Sequence, residues 1–503
     1  MTGSNRWIGD VVSSHVDRFF IGGEWVAPST DACADVIDSA TEEMFFRVAL
    51  ADSRDMDRAI ASARAAFDDG PWPRMSHTER AELVRQLAAG MRERRDEIAQ
   101  IWPRQSGVLH SHALGSAENT ASVFDFYAGL ATTFEFEEQV EPDAGGYGLL
   151  VREPVGVVGA IIAWNGPMRF IAGKVAPALM AGCSVVLKLS PEAPGEGYLV
   201  AEIAEQVGLP PGVLNVVTAD REVSEQLVRD PRVDKITFTG STAAGRRIAS
   251  ICGARVARCT LELGGKSAAI LLDDADLDHA ARVISAAECR ISGQVCSSLT
   301  RIVVTRDRHD EFVDALAATF ADVRVGDPFD PSSQMGPLAT ARQRDRVEAF
   351  IARGVSDGAV LATGGRRPAQ LARGWYVEPT VFGQVDNRST IAQNEIFGPV
   401  LSVIPADDEE DAIRLANDTI YGLNAAVFTD SAERALAVGR RLRSGSVGHN
   451  GSRTDLAGAF GGFKQSGIGR EGGVEGLRPF LEVKFFALDA APVSVATGPY
   501  DEP

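Results

Sequence analysis

Short apolar runs and amphipathic segments alternate along the middle of the chain. Four runs rich in β-branched residues predict strands, at Val155–Ala163, Ser184–Lys188, Val213–Thr218 and Lys235–Thr239. Helix-compatible segments follow these strands, at Met168–Ala181, Gly195–Val207, Glu222–Arg229 and Thr242–Cys252. Continuous apolar strands linked by helices are typical of βαβ units, whose parallel sheet is buried on both faces.

The same alternation begins again further along the chain. Strands are predicted at Ser267–Leu272, Arg301–Thr305, Val400–Ile404 and Ala425–Thr429. Helices are predicted at Ala275–Ile291, Arg308–Phe320 and Thr340–Arg353. The pattern therefore predicts an α/β protein with two doubly wound parallel sheets, each with its own core.

The segments outside these two units follow other patterns. A hairpin is predicted at Arg18–Pro28, and helices over Ser53–Asp69, from Ser76 to about Trp102, and over Gly115–Leu130. Three short apolar stretches belong to neither sheet, at Thr132–Glu138, Gly148–Arg152 and Val483–Asp489. We expect these stretches to form an arm that pairs with another subunit.

Composition narrows the class of protein. The chain has 503 residues, of which 45% are hydrophobic and 24% charged, so the disordered, collagen-like and coiled-coil classes are excluded. The formal net charge of −19 opposes binding to phosphate backbones and anionic lipid. We therefore expect neither a nucleic-acid nor a membrane partner.

The N-terminal residues lack the basic start and apolar core of a secretory signal. The longest apolar stretch, Val155–Trp164, is about half of a bilayer span. The six cysteines include no CxxC and the seven histidines no HxxxH, so neither a disulfide scaffold nor a structural zinc site is expected. The sequence predicts a cytoplasmic protein without a metal.

Two residues lie in settings that suit chemistry. Cys296 lies in the polar segment GQVCSS, where a thiol is either structural or, beside a base or a positive charge, a nucleophile. Glu262 lies in LELGGKS, where the two glycines allow a sharp turn or a close approach to a ligand. That carboxylate is either a turn residue or a functional base.

Three further features lie where predicted strands end, which is where open α/β sheets bind ligands. Asn165 follows the first parallel strand, where it either caps the next helix or donates to an oxyanion. The segment Phe238–Gly245 (FTGSTAAG) runs from strand to helix and suits phosphate binding, although it is neither GxGxxG nor a P-loop. Lys188 ends another strand, where a lysine is either solvated or meets a phosphate or ribose.

Eight motifs occur in one order across Trp164–Gly473: AWNGP, LKLSPEAP, FTGSTAAG, LELGGKS, GQVCSS, QNEIFGPV, NDTIYGL and FGGFKQSGIGREGG. In this arrangement the whole chain resembles the aldehyde dehydrogenase superfamily of NAD(P)-dependent enzymes. The most specific feature is the spacing of 34 residues between Glu262 and Cys296. The resemblance implies a cofactor domain (15–131 and 153–262), a catalytic domain (263–475) and an oligomerisation arm (132–152 and 480–497) that makes dimers or tetramers.

The resemblance also implies four catalytic roles. Cys296 matches the nucleophile that attacks the aldehyde carbon, and Asn165 matches the donor that, with the Cys296 backbone N–H, holds the oxyanion. Hydride transfer to nicotinamide then leaves a thioester on Cys296. Glu262 matches the base that activates water to hydrolyse it. Lys174 matches a lysine thought to assist proton relay, although a lysine on a helix surface is the plainer interpretation.

For the cofactor, the resemblance implies NAD, with NADP as the alternative. Lys188 and Glu395 match residues that contact the two ribose groups, and Phe397 matches the residue beside the nicotinamide. Many NAD-preferring members carry Glu three residues after the lysine, where this chain has Pro191 followed by a glutamate that would repel the 2′-phosphate of NADP. Further implied cofactor residues are Ile161, Ile162, Ala163, Trp164, Ser190, Glu192, Gly240, Ser241, Gly245, Leu263 and Gly264.

The substrate tunnel is expected to depart from the family pattern. Many members carry an aromatic residue after the asparagine, where this chain has Gly166, so a wider mouth is expected. Arg169 then either meets an acidic or polar substrate tail or is a surface arginine. Ser297 and Phe460 are the other predicted tunnel residues.

The leading hypothesis is NAD-dependent oxidation of an organic aldehyde to its carboxylate. One alternative is a CoA-acylating semialdehyde dehydrogenase, against which Glu262 argues because such enzymes protect the thioester from water. The other is a catalytically silent binding protein of the same fold. The joint presence of Cys296, Glu262 and Asn165 argues against it.

Overall fold

The computed structural model describes residues 12–453, 455–456 and 458–492. The N-terminal residues considered above as a signal, up to residue 11, and residues 493–497 of the predicted arm lie outside this range. The strands are β1 (Phe19–Ile21), β2 (Glu24–Val26), β3 (Cys33–Ile37), β4 (Met44–Ala49), β5 (Glu137–Val140), β6 (Tyr147–Pro154), β7 (Val157–Ile161), β8 (Ser184–Leu189), β9 (Leu214–Thr218), β10 (Lys235–Thr239), β11 (Arg258–Glu262), β12 (Ala268–Leu271), β13 (Arg301–Thr305), β14 (Val360–Thr363), β15 (Thr380–Gly383), β16 (Val400–Ala406), β17 (Asn424–Phe428), β18 (Ser446–His449), β19 (Gly467–Ile468) and β20 (Leu481–Leu488).

The helices are α1 (Ser53–Asp68), α2 (His77–Glu93), α3 (Arg95–Ser106), α4 (His110–Gly129), α5 (Pro167–Ala181), α6 (Gly195–Gln206), α7 (Arg221–Arg229), α8 (Thr242–Arg255), α9 (Leu277–Cys289), α10 (Arg306–Ala321), α11 (Ala341–Ser356), α12 (Thr390–Gln393), α13 (Glu409–Asn417), α14 (Ala432–Gly439) and α15 (Gly473–Leu477). Among the described helices, not one combines the length and the apolar character needed to cross a bilayer.

The first sheet has the strand order β19-β11-β10-β7-β8-β9-β1-β2. Its strands from β11 to β9 are parallel, and antiparallel strands flank them. Successive residues of β8 point to opposite faces, so Val185 and Leu187 pack in one apolar core and Val186 packs in the other. Helices α5 and α6 contribute to the first core, and α1 and α7 to the second.

The second sheet has the order β14-β15-β16-β13-β12-β17-β18 and is parallel except for β14. Ile270 packs in one core and its neighbours Ala269 and Leu271 pack in the other. Both units therefore bury their parallel sheet on two faces, and the predicted α/β fold class is confirmed.

Two helix boundaries predicted from the sequence are wrong. The amphipathic run from Ser76 to Trp102 is two helices, because Arg94 leaves helical geometry between α2 and α3 and its guanidinium binds Glu97 and Glu202. Helix α4 begins at His110, five residues before the predicted start at 115.

Strand β11 is not predicted by the sequence pattern, because its residues RCTLE lack an apolar run. Its register with β10 nevertheless extends over the whole strand. Pairing with a neighbour supplied by the fold therefore outweighs local propensity. Glu262 ends this strand and is not a turn residue.

The predicted arm forms one sheet, with the order β20-β6-β5 and antiparallel pairing. Its strand β5 begins at Glu137 and not at Thr132, because residues 132–134 form turn hydrogen bonds with the end of α4. β20 pairs with β6 along its whole length. Its side chains are largely exposed, among them Val483 and Phe485. A subunit that would cover them remains a prediction.

Candidate active site

The predicted functional residues gather at one edge of the first sheet. Asn165 follows β7, Gly240 follows β10 and Glu262 is the last residue of β11. These strands are neighbours, and β8 carries Lys188 to the same edge. Because all four strands are parallel, this is their shared carboxyl edge, where α/β sheets bind ligands.

The second unit brings Cys296 to this edge. The cysteine lies between α9 and β13, two residues after Gln294. Asn165 Nδ2 donates a hydrogen bond to the carbonyl of Gln294 at 2.9 Å. The Gln294 side chain accepts from the Ala339 N–H at 2.9 Å and donates to the Ser106 carbonyl at 3.3 Å. The loop that carries the cysteine is therefore fixed to the asparagine of the first unit.

Cys296 and Asn165 line a cleft between these elements. Trp164 and Phe397 meet edge-on in it, with ring centroids 5.5 Å apart. The other lining residues are Ala163, Phe170, Thr239, Gly240, Ser241, Leu263, Gly264, Gln343, Arg346 and Glu395. Most of the predicted cofactor residues therefore share one cleft with the candidate nucleophile.

Some predicted cofactor residues do not line this cleft. Ile161 and Ile162 are buried in the apolar cores of the first unit. Gly245 packs against the Leu263 side chain, whose methyl carbons a Cβ at that position would overlap. These residues therefore support the walls and are not exposed in them.

Glu262 is a buried carboxylate, and neither of its oxygens accepts a hydrogen bond from a described residue. Burial raises its pKa well above the usual value, and the charge of Glu471 raises the pKa further, while three nearby cations lower it. Gly461 leaves room for the carboxylate, since a Cβ there would lie 2.6 Å from Oε1. A carboxylate without a donor in such a place suits a base that takes a proton from a substrate or water.

Lys174 is buried and does not lie on the surface of α5. Its ammonium group is paired with the carboxylate of Glu471. Glu471 is fixed by two backbone hydrogen bonds with Phe460, of 2.6 and 2.7 Å. Sequence reasoning missed Glu471, although a buried lysine requires a carboxylate partner and the last motif contains one.

Cys296 packs against a small apolar cluster formed by Leu423, Leu456 and Phe460. Burial raises the pKa of its thiol to about 12, and the nearby carboxylates of Glu395 and Glu262 add to the effect. The thiol is therefore protonated at neutral pH, and it needs a base before it can act as a nucleophile.

Steric contacts explain why LELGGKS has glycine at residues 264 and 265. A Cβ on Gly264 would overlap the Glu395 carboxylate, and one on Gly265 would overlap the Cys296 carbonyl oxygen. The Gly265 N–H donates to Glu395 at 3.0 Å, and burial raises the pKa of that carboxyl to about 7. The glycines thus let Glu395 and the cysteine loop approach the same backbone.

Polar groups also gather where β8 ends. Lys188 is almost buried, and its ammonium group donates to no acceptor in the described part of the chain. Burial lowers its pKa to about 8. Glu192 accepts hydrogen bonds from the Ser190 hydroxyl and, at 3.0 Å, from Arg342 of α11. Glu192 is therefore held in place although the preceding position is occupied by Pro191.

The predicted tunnel residues lie at the entrance to α5 and near the cysteine. Gly166 is the residue before the helix, and Arg169 in its first turn is exposed. The Arg169 guanidinium carbon lies 5.1 Å from the ring centroid of Phe460. The carbonyl of buried Ser297 accepts a hydrogen bond from Asn424 at 2.9 Å, which ties the segment after the cysteine to β17.

Known proteins match this chain over nearly its whole length. It is 43% identical to geranial dehydrogenase of Castellaniella defragrans over 469 residues, which are 93% of this chain and 98% of that protein. It is 42% identical to 3-succinoylsemialdehyde-pyridine dehydrogenase of a Pseudomonas species, with 93% and 97% covered. Succinate-semialdehyde dehydrogenase of Arabidopsis thaliana mitochondria is 39% identical, with 93% and 88% covered.

Solved structures agree with these relatives. The aldehyde dehydrogenase of Mycobacterium tuberculosis in complex with NAD⁺ has a TM-score of 0.92 and 42% identity, covering 95% of this chain and 99% of its own. A mutant of aldehyde dehydrogenase C from Pseudomonas syringae, in complex with NAD⁺ and octanal, has a TM-score of 0.92 and 39% identity, covering 96% and 99%. The model of the aldehyde dehydrogenase family matches residues 25–486. The chain belongs to the aldehyde dehydrogenase family.

Proposed function

We propose that this protein oxidises an organic aldehyde to its carboxylate with NAD as the oxidant, through a thioester on Cys296 that water hydrolyses. The observation that carries the proposal is the arrangement of three groups. Cys296 and Asn165 line one cleft, and the unpartnered carboxylate of Glu262 ends a strand at the edge of the sheet that forms it. Solved relatives that contain NAD⁺ support the choice of cofactor.

The cleft fits a nicotinamide dinucleotide, whose nicotinamide ring accepts a hydride when it is bound. The free ammonium group of Lys188 suits ribose hydroxyls. Ser241 caps α8, whose first N–H groups suit a pyrophosphate. Trp164 and Phe397 offer apolar faces to a flat ring. Glu192, fixed by two donors, favours NAD because its charge repels a 2′-phosphate.

The chain's own groups account for attack on the aldehyde. The Cys296 thiol must lose its proton before it attacks, and Glu262 is assigned as the acceptor because neither of its carboxylate oxygens is bound by a described donor. Asn165 Nδ2 uses one N–H for the Gln294 carbonyl and retains a second for the oxyanion. The asparagine therefore both positions the loop and stabilises the transition state.

Glu262 also has the properties required for hydrolysis of the thioester. Its raised pKa allows it to accept a proton from water near neutral pH. The charges of Lys174 and Glu471 act on the pKa of Glu262. This buried pair also offers a route by which the proton leaves. This assignment accounts for the burial of three ionisable groups in one place.

A single kinetic experiment tests the proposal. The wild type, Cys296→Ala and Glu262→Gln are mixed with NAD and a panel of aldehydes, and reduced cofactor is followed by stopped-flow absorbance. We expect steady turnover from the wild type, none from Cys296→Ala despite cofactor binding, and from Glu262→Gln a burst that then stalls, because the thioester is not hydrolysed.

Three results would contradict the proposal. Turnover by Cys296→Ala would exclude the nucleophile, and steady turnover by Glu262→Gln at the parental rate would exclude the base. A wild type that binds NAD but oxidises no aldehyde would indicate the silent protein. Adding coenzyme A tests the acylating alternative, which predicts an acyl-CoA product in place of the free acid.

A further inference from the structure

One positive charge near the cleft is not balanced by the protein. Arg169 is exposed in the first turn of α5, and it forms no ion pair and donates no hydrogen bond within the described part of the chain. Its guanidinium group stacks over Phe460 at 5.1 Å, and Phe460 belongs to the apolar cluster against which Cys296 packs. The cation therefore lies close to the candidate nucleophile, and its charge acts on the pKa of the Cys296 thiol.

Three cations act on the carboxylate of Glu262, and two of them have partners. The three are Lys174, Arg470 and Arg169. Lys174 is paired with a buried carboxylate, and Arg470 donates to two backbone carbonyls. Among these three, Arg169 alone has no acceptor in the described residues. An exposed guanidinium stacked on a ring keeps its five N–H donors free to bind another group.

The surroundings of Arg169 leave room for that group. Arg169 is exposed, and a Cβ on Gly166 would make only an ordinary contact with the Phe170 ring, at 3.7 Å. Phe170 lines the cleft, and Phe460 belongs to the apolar cluster against which Cys296 packs. Aromatic side chains beside a free cation suit a molecule with an apolar body and an anionic end.

We infer that Arg169 binds the anionic end of the substrate, so that the preferred aldehydes carry a carboxylate at the end remote from the aldehyde group. The inference rests on the proposed function. A guanidinium binds a carboxylate through two parallel hydrogen bonds, which adds orientation to attraction. The stack on Phe460 holds the guanidinium plane before the substrate arrives, which reduces the freedom lost on binding.

The test compares aldehydes that differ only in this charge. Two pairs are used: succinic semialdehyde with methyl 4-oxobutanoate, and 4-carboxybenzaldehyde with methyl 4-formylbenzoate. The ratio of kcat/KM within a pair cancels any general effect of a variant on the chemistry. Arg169→Met removes the charge, Arg169→Lys keeps it without the planar fork, and Arg282→Met, at an exposed arginine of α9, is the matched control.

We expect the wild type and Arg282→Met to prefer the carboxylate of at least one pair by about tenfold, which corresponds to about 1.4 kcal/mol. The ratio falls to about one in Arg169→Met, mainly through KM, and is intermediate in Arg169→Lys. Added salt lowers the wild-type ratio. A ratio near one in the wild type, or an unchanged ratio in Arg169→Met, overturns the inference. Failure of the proposed function itself looks different, because neither member of either pair then yields reduced cofactor.

Discussion

At the scale of single residues, the site is defined by groups that the protein leaves without partners. Glu262 has no donor and Lys188 no acceptor among the described residues. Burying such groups costs stability unless a ligand or a reaction uses them. Their positions beside one cleft therefore carry more functional information than the ion pairs on the surface of the molecule.

The charges around Glu262 predict opposite shifts in the pH profile. In the proposed function ionised Glu262 is the active base, so activity falls as pH falls through its pKa. Glu471→Gln removes a charge that raises this pKa, and the acid limb of kcat then moves to lower pH. Lys174→Gln removes a charge that lowers it, and the limb moves to higher pH. Kinetics across the pH range measure both.

The matched control for these variants is Glu475→Gln, at an exposed carboxylate four residues beyond Glu471. Its profile should coincide with that of the wild type. If the two buried variants move the limb in the same direction, the pair does not act on the base through its charges. Thermal unfolding of each variant separates this effect from loss of fold.

At the scale of elements, one helix supplies much of the site. Helix α5 begins after Asn165 and Gly166, presents Arg169 in its first turn and buries Lys174 further along. The rigid spacing of the helix thus sets the distance between Arg169 and Lys174, and Asn165 lies two residues before its start. A substitution within α5 will act on function even where helix formation itself is unchanged.

The variant Gly173→Ala distinguishes the effect of helix propensity from that of side-chain packing. In an open helix interior, Gly→Ala adds about 0.5–1 kcal/mol of stability. At Gly173 a Cβ would lie 2.9 Å from Oε2 of Glu471, which is held in its pair with Lys174. We therefore expect Gly173→Ala to lower kcat, as measured by turnover. Its gain in stability, as measured by thermal unfolding, should be smaller than in an open helix.

Gly253 of α8 is the matched control, because nothing lies within 4 Å of its Cβ position. Gly253→Ala should raise stability by about 0.5–1 kcal/mol with activity retained. Equal behaviour of the two variants in both assays would show that Glu471 yields to the new methyl group without consequence.

The elements also show how far the sequence can be interpreted. The strands β7 to β10 are predictable because each is rich in apolar and β-branched residues, which suit a strand buried on both faces. β11 is not predictable, because its five residues become a strand only when β10 is beside them. The same limit applies to the site: motifs identify Glu262 and Cys296, whereas the contact of Glu471 with Lys174 depends on segments 297 residues apart.

At the scale of the whole molecule, the arm exposes an apolar strand that suits contact with a second copy of the chain. β20 exposes Val483 at 62% and Phe485 at 51%, and it belongs to neither large sheet. Exposed apolar strands of this kind invite pairing or coverage. We propose that residues 132–152 and 480–497 assemble subunits, while 15–131 with 153–262 bind the cofactor and 263–475 carry the nucleophile.

Phe485→Asp tests the arm. A charge in the middle of a buried interface disfavours assembly, so the variant should have a smaller molar mass by light scattering after size exclusion than the wild type. Val355→Asp, at an equally exposed apolar residue (52%) on α11, should leave the mass unchanged. The proposal is wrong if the wild type is a monomer, or if Phe485→Asp has the same molar mass as the wild type.

The hydrogen bond between Asn165 and the Gln294 carbonyl has a consequence for how such proteins diverge. In the proposed function the nucleophile belongs to one half of the chain and its oxyanion donor to the other, so neither half contains a working centre. Exchange of halves between relatives can conserve activity only where the incoming loop presents a carbonyl at this position. We therefore expect the two halves to change together at this hydrogen bond, whichever aldehyde the protein oxidises.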